Sequence, residues 1–291
     1  MAARDIHRDG CLMRFPFLDL ACPLDGSLLR QDGAVWRCPS GHSFDAAREG
    51  YVNLLPVQNK RSRDPGDSKE MVAARRRFLN AGHYQPIASA VGRMVLDGLP
   101  QRAACLDAGC GEGYYLRQLA GAAAGRHLAL LGLDISKWAV QAAARQQRDA
   151  TWVVGSNANL PVLPQTLDRV ICMFGFPVYG EFARVLKPGG ELLQVDAGAD
   201  HLRELREIIY PTLKPERRSE AEAPAGFSVA GAETLRFMVE LKGAEPIADL
   251  LLMTPHLFRA TAEGRARAAA LTELSLTVDV RLLRLRRNAA R

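Results

Sequence analysis

The chain has 291 residues, of which 48% are hydrophobic, 24% charged and 7% aromatic, and its formal net charge is +6. The apolar mass supports a packed core and excludes disorder, while six cysteines are too sparse for a disulfide-stapled secreted scaffold. No run approaches the roughly 18 apolar residues of a membrane span, and the first twenty residues, interrupted by Arg4, Asp5, Arg8, Asp9 and Arg14, lack the apolar block of a secretory signal; a cytoplasmic protein is expected.

Residues 1–17 show no pattern and read as an N-terminal extension. Residues 18–58 are short apolar runs broken by turn chemistry at Asp25-Gly26 and Ser40-Gly41, which predicts a small module of hairpin strands. Residues 59–84 form a basic connector, in which Asp64-Pro65-Gly66 interrupts any element and Ser68 caps a helix closed by Gly82. From residue 85 to 291 the texture is that of one larger domain. Buried-strand patterns AACLDAG, HLALLGLD, TWVVGS, DRVICMF and ELLQVDAG alternate with helical ones, predicting an α/β fold with a doubly wound, mostly parallel sheet and helices on both faces.

The positive charge is uneven. Residues 59–77 hold seven Lys/Arg against three Asp/Glu, and residues 281–291 hold five Arg and no acid, on a body that is otherwise slightly acidic. Clusters of this kind suit a polyanion such as RNA; a solvated helix face and a frayed arginine tail are the alternative reading.

The glycine loop Asp107-Ala108-Gly109-Cys110-Gly111-Glu112-Gly113 follows a strand and opens a helix. Its glycines permit positive φ and close backbone approach to a ligand. Asp134 ends the next strand, where an acid accepts both hydroxyls of a ribose. A dinucleotide loop is spaced G-x-G-x-x-G and places a pyrophosphate on the helix N-terminus, where Asp107 would repel it. Asp107 suits instead a cationic amino group. With the turn Leu186-Lys187-Pro188-Gly189-Gly190 before a further strand, the pattern resembles the class I S-adenosylmethionine-dependent methyltransferases, Rossmann-like folds in which Ser156-Asn157 would flank the adenine.

In the N-terminal module, Cys22-Pro23-Leu24-Asp25 and Cys38-Pro39-Ser40-Gly41-His42 form two candidate metal knuckles. Thiolate, imidazole and carboxylate are all zinc ligands. Asp25 replaces soft sulfur by hard oxygen, which lowers affinity; the alternatives are packed remnants of a lost site, or Cys11 folding back as a ligand.

A longer stretch is more specific. Phe44-Asp45, Glu49-Gly50-Tyr51-Val52-Asn53-Leu54-Leu55-Pro56, Asp64-Pro65-Gly66-Asp67-Ser68, Ala74-Arg75-Arg76 and Ala81-Gly82-His83-Tyr84 lie between the knuckles and the glycine loop, and His201-Leu202 and Met253-Thr254-Pro255 follow it. From about Cys22 to Arg259 the chain resembles the 23S ribosomal RNA (guanine-N1)-methyltransferases, nearer their Gram-negative branch than the tylosin-resistance branch. The resemblance implies a zinc-ribbon-like N-terminal module, S-adenosylmethionine as methyl donor, N1 of a guanine in hairpin 35 of the large-subunit RNA as acceptor, and a homodimer. It implies cofactor contacts from Tyr84, Gly111, Glu112, Asp134 and His201, to which the loop reading adds Asp107, Gly109 and Gly113, and the fold adds Asn157. The metal would be held by Cys22, Asp25, Cys38 and His42, and RNA by Lys60, Arg61, Arg63, Arg75 and Arg76.

The segment Phe174-Gly175-Phe176-Pro177 departs from the family's aromatic-Ala-Pro, and its two rings are candidates for stacking the target base. Guanine N1 carries a proton near neutral pH, and Glu112 and Asp196 are the acids near the cleft. Two other functions fit part of the pattern: a methyltransferase for a small molecule such as a quinone precursor or an antibiotic, for which the knuckle module is superfluous, and a non-catalytic RNA-binding protein on the same fold, which the intact loop disfavours.

Overall fold

Turn geometry sets the first module. The computed structural model describes residues 14–59, 62, 64–212 and 223–289. After β1 (Arg14–Pro16), the backbone of Gly26 donates to the Cys22 carbonyl and that of Gly41 to the Cys38 carbonyl, closing two tight turns. Between and after them, β2 (Arg30–Asp32), β3 (Val35–Arg37) and β4 (Ser43–Asp45) form an antiparallel meander with Trp36 opposite Phe44. β5 (Tyr51–Asn53) leaves this ribbon and pairs elsewhere, and a single 3-10 turn, Val57–Asn59, follows.

The connector leads into α1 (Lys69–Asn80), whose N-cap Ser68 accepts from the Met71 N–H, and then α2 (Gln85–Leu96). The alternating part runs β6 (Arg102–Ala108), α3 (Tyr114–Ala122), β7 (His127–Asp134), α4 (Lys137–Gln146), β8 (Thr151–Val154), β9 (Leu167–Met173), α5 (Tyr179–Val185), β10 (Leu186–Ala197) and α6 (Arg203–Ile209). The chain closes with β11 (Phe227–Lys242), α7 (Ala244–Leu252), α8 (His256–Arg259), α9 (Ala262–Ala269) and β12 (Glu273–Arg287). Among the described residues the large sheet has nine strands in the order β11-β12-β10-β9-β6-β7-β8-β5, with β1 beside the first half of β7. β12 is antiparallel to both neighbours and the remaining pairings are parallel. This is the class I methyltransferase arrangement, with a small antiparallel module at its N-terminus.

Two sequence expectations are corrected. The arginine-rich end is no frayed tail: up to Arg287 it is β12, inserted between β10 and β11, with Leu282 and Leu285 fully buried. Its arginines are spent on ion pairs, Arg284 with Asp97 at 2.6 Å and Arg286 with Glu191 at 2.9 Å. The extension is not patternless, since Arg14–Pro16 fill the half of β7 that the short β8 leaves unpaired, and the Phe17 N–H donates to Thr151 Oγ1. Helices pack on both faces, as expected, but unequally. One face packs against α1–α4, α6 and α7. The other is covered by α5, the 156–166 loop and the ribbon, whose Phe17, Leu20, Leu29 and Trp36 share one core with Leu131, Val153, Val162 and Val170. Leu20 bridges Val162, and the Ala21 N–H donates to the Pro161 carbonyl at 3.0 Å. A ribbon too small to bury its own core completes itself on the sheet.

Candidate active site and metal centre

The two knuckle turns bring Cys22, Asp25, Cys38 and His42 together, with one donor atom from each within 4.8 Å of all the others. His42 Nδ1 lies 3.4 Å from Cys22 Sγ, 3.3 Å from Cys38 Sγ and 3.3 Å from Asp25 Oδ2. Ser27 donates its backbone N–H and its hydroxyl to Asp25 Oδ1, at 2.9 and 2.6 Å. Those bonds hold the carboxyl well below its ordinary range and leave Oδ2 facing the quartet. Two thiolates, an imidazole nitrogen and a carboxylate oxygen at this spacing fit tetrahedral zinc. Cys11, the alternative ligand, lies outside the described residues.

The glycine loop sits at the carboxyl end of β6, where an open α/β sheet offers its ligand crevice. A narrow cleft there, with an accessible volume of about 50 Å³, is lined by Arg75, Tyr84, Gly109–Glu112, Tyr115, Met173, Phe174 and Met253. Asp134 Oδ2 accepts from the Gly111 N–H at 2.9 Å and Oδ1 from the Ser136 N–H at 2.8 Å, which fixes the loop to the end of β7. Burial raises the Asp134 carboxyl. Asp107 is fully buried, and both of its oxygens lack a partner. Burial first, and the Asp134 charge second, push its carboxyl up to about 7. Asn157 reaches the same edge, its Nδ2 3.5 Å from the Ala108 carbonyl and its Oδ1 buried without a partner. The Tyr115 hydroxyl and Arg75 Nε are likewise buried and unpaired. Each such group costs roughly 1–3 kcal/mol when left unmet, so a fold that keeps several around one crevice is built for a polar ligand. The donor set fits the amino-acid and nucleoside ends of S-adenosylmethionine.

The cleft's far wall is aromatic. Tyr84 is buried at the start of α2, with its hydroxyl 3.5 Å from His201 Nε2. The Phe174 ring stacks on His201 at 5.7 Å, and Phe174 holds φ at +50°, fixed by its N–H donating to the Val195 carbonyl. His201 Nδ1 accepts from the Asp279 N–H at 3.3 Å, so the ring's proton belongs on Nε2. Burial lowers the imidazole to about 4 and keeps it neutral at physiological pH. Phe176, two residues beyond Phe174, is 89% exposed.

Several residues occupy places the sequence did not foretell. The Glu112 carboxylate is bonded to Arg117 Nη2 at 2.9 Å and Gln146 Nε2 at 2.7 Å, so it braces α3 against α4, while the residue still lines the cleft. Gly113, like Asp107, Asp134, Asn157 and His201, stands behind the residues that line the cleft: at φ +83°, a Cβ there would stand 2.6 Å from the Trp152 ring, so packing demands this glycine. Arg75, expected on RNA, points into the cleft, with Nη2 2.5 Å from Asp67 and 3.1 Å from the Met253 carbonyl. Arg76 is exposed, whereas Lys60, Arg61 and Arg63 lie outside the described residues. Tyr115 and the Asp279 N–H were missed altogether; the doubled tyrosine after the loop was a visible signal for the first, and nothing local marks the second.

Comparison with known proteins places both halves. A family model for the N-terminal zinc ribbon of RlmA matches residues 20–63, and one for a methyltransferase domain matches residues 105–190. A Micromonospora griseorubida protein bearing the name 23S rRNA (guanine-N1)-methyltransferase is 37% identical over 290 residues, covering 92% of this chain and 97% of its own. A Bacillus subtilis protein of the same name is 32% identical, covering 90% and 95%. The 23S rRNA (guanine(748)-N1)-methyltransferase of Streptomyces fradiae is 35% identical, covering 76% and 80%. No helix among the described residues is long and apolar enough to cross a membrane.

Proposed function

The chain belongs to the 23S rRNA (guanine-N1)-methyltransferases, and from that premise we propose that it methylates N1 of a guanine in hairpin 35 of 23S ribosomal RNA. The observation that carries the reading is the ribbon packed onto the methyltransferase sheet as its second covering layer, an investment without use for a small-molecule acceptor. S-adenosylmethionine supplies a methyl group on a sulfonium, a leaving group that needs no further activation. The protein's work is alignment, exclusion of water and removal of one proton.

Asp134, held by the Gly111 and Ser136 N–H groups, receives the ribose hydroxyls, and Asn157 meets the adenine edge. Asp107 faces the cationic amino group. Tyr84, His201 and Phe174 close the site against water, and Phe176 offers its exposed ring to a splayed base. Of the two candidate acids, the Glu112 carboxylate is already engaged. Asp196, one residue beyond the carbonyl that fixes Phe174, has its Oδ2 accepting from Gln194 Nε2 at 2.6 Å but pairs with no arginine among the described residues, and receives the N1 proton on its carboxylate. Asp196→Asn lowers the single-turnover methylation rate by about 10²–10³ and leaves cofactor affinity alone; an undiminished rate removes Asp196 from the reaction. Lys60, Arg61, Arg63 and Arg76 grip phosphate, a ribosomal substrate sets the reaction in the cytoplasm, and two copies share the hairpin as a dimer, which light scattering checks.

The test incubates the protein with methyl-labelled S-adenosylmethionine and 23S RNA from cells lacking the gene, then maps the labelled nucleotide. Label on N1 of a hairpin 35 guanine is expected, and its position also decides the branch. Label elsewhere, or on a small metabolite instead of RNA, overturns the proposal.

A further inference from the structure

Three consecutive arginines on α1 have three different surroundings. A helix turns about 100° per residue, so neighbours in sequence point apart. Arg77 pairs with the buried Asp249 of α7 at 2.5 Å, clamping α1 onto the domain. Arg76 faces solvent. Arg75 lies over the glycine loop: its Cδ is 3.5 Å from where a Cβ on Gly111 would stand. Its Nη2 is held by Asp67 and the Met253 carbonyl, which aims the guanidinium and leaves Nε buried without an acceptor.

The unmet groups around this part of the cleft are complementary. Asp107 offers a carboxylate with two empty acceptors, Arg75 a cationic donor, and Tyr115 a hydroxyl that feels both charges. A carboxylate and the free Nε edge of a guanidinium, both felt by one buried tyrosine hydroxyl, are the recognition pattern of a zwitterion. Asp107 and Asp134 alone would make the crevice hostile to any anion. We propose that Arg75 binds the α-carboxylate of the cofactor's methionine end, with Tyr115 as its hydroxyl partner, and so serves the cofactor and not the RNA. The proposal rests on the cofactor reading given above. It makes α1, a connector element outside the α/β core, one wall of the cofactor site. It also gives the Met253-Thr254-Pro255 segment a role, because the Met253 carbonyl orients the arginine.

Two probes separate the amino-acid end from the rest of the molecule. S-adenosylhomocysteine carries the α-carboxylate, and 5′-methylthioadenosine lacks the whole amino-acid end. By calorimetry on the full chain, Arg75→Met should weaken S-adenosylhomocysteine about tenfold to hundredfold and leave methylthioadenosine unchanged. Tyr115→Phe should act the same way with a smaller loss, and Arg75→Lys should recover part of it. Affinity of Arg75→Met for 23S RNA should equal that of the parent. Equal losses for both nucleosides, which a purely structural arginine would give, overturn the proposal. So does an unchanged S-adenosylhomocysteine affinity, with or without a fall in RNA affinity. If the parent protein binds neither nucleoside, the cofactor reading itself falls, an outcome distinct from failure of the Arg75 assignment.

Discussion

The metal quartet and the cofactor cleft hold polar groups in opposite ways. In the quartet, four donor atoms converge from two turns separated by one short hairpin, and each already touches another. In the cleft, the unmet atoms stand apart and come from elements far from one another in sequence: Asp107 on β6, Tyr115 on α3 and Arg75 on α1, with the Asp279 N–H on β12 orienting the far wall. A compact metal needs one point where ligands meet. An extended, doubly charged organic ligand needs several separated points, which a tertiary fold supplies.

The contrast can be broken experimentally, and the largest effect is at the metal. Cys38→Ala should take zinc from about one per chain to none, a loss on the order of 10 kcal/mol of apparent metal binding. It should abolish RNA methylation, while S-adenosylhomocysteine binding measured by calorimetry stays near normal. A parallel collapse of cofactor binding would mean that the two sites are one cooperative unit. Asp134→Ala should weaken S-adenosylhomocysteine about 100-fold with zinc content unchanged by metal analysis; normal binding would refute the ribose role.

A smaller effect follows from Asp107. Its folded pKa lies near 7, above the ordinary carboxyl value, so the empty protein is most stable with the group protonated. That contribution is full below about pH 4 and is lost as pH rises through 7. A cationic ligand prefers the ionised form, so cofactor affinity should climb by up to about tenfold per pH unit below 7 and level off above it. Asp107→Asn should flatten this profile; a profile that survives the substitution assigns the titration elsewhere. The smallest effect is expected for Asp25→Cys, which restores sulfur to the quartet and should tighten zinc several-fold against a competing chelator, with the methylation rate unchanged.

Legibility in the sequence followed the same division. The knuckles, the glycine loop, Asp134 and five parallel strands could be read because the residues that define them lie within one turn or one βα unit. The two C-terminal strands could not. β12 alternates leucine with arginine, and the acids that neutralise it, Asp97 and Glu191, lie some hundred to two hundred residues earlier. Without those partners a run of arginines looks like a binding tail. The engagement of the Glu112 carboxylate was illegible for a similar reason: a loop acid looks available until Arg117 and Gln146 are seen to occupy it. In the connector, charge density was legible but direction was not, since a local +4 says nothing about which arginine turns inward.

The ribbon's attachment has a mechanical consequence. β5 is hydrogen-bonded along β8, Leu20 is bridged to Val162, and a single hydrophobic core runs from Trp36 to Val170. Such a joint leaves no hinge between the surface that would hold an RNA stem and the cleft where the methyl is handed over. The protein would then work as a calliper of fixed opening. The nucleotide it reaches would be set by its distance along the hairpin from the gripped stem, and inserting a base pair between the two would shift the mark to a neighbouring base or erase it.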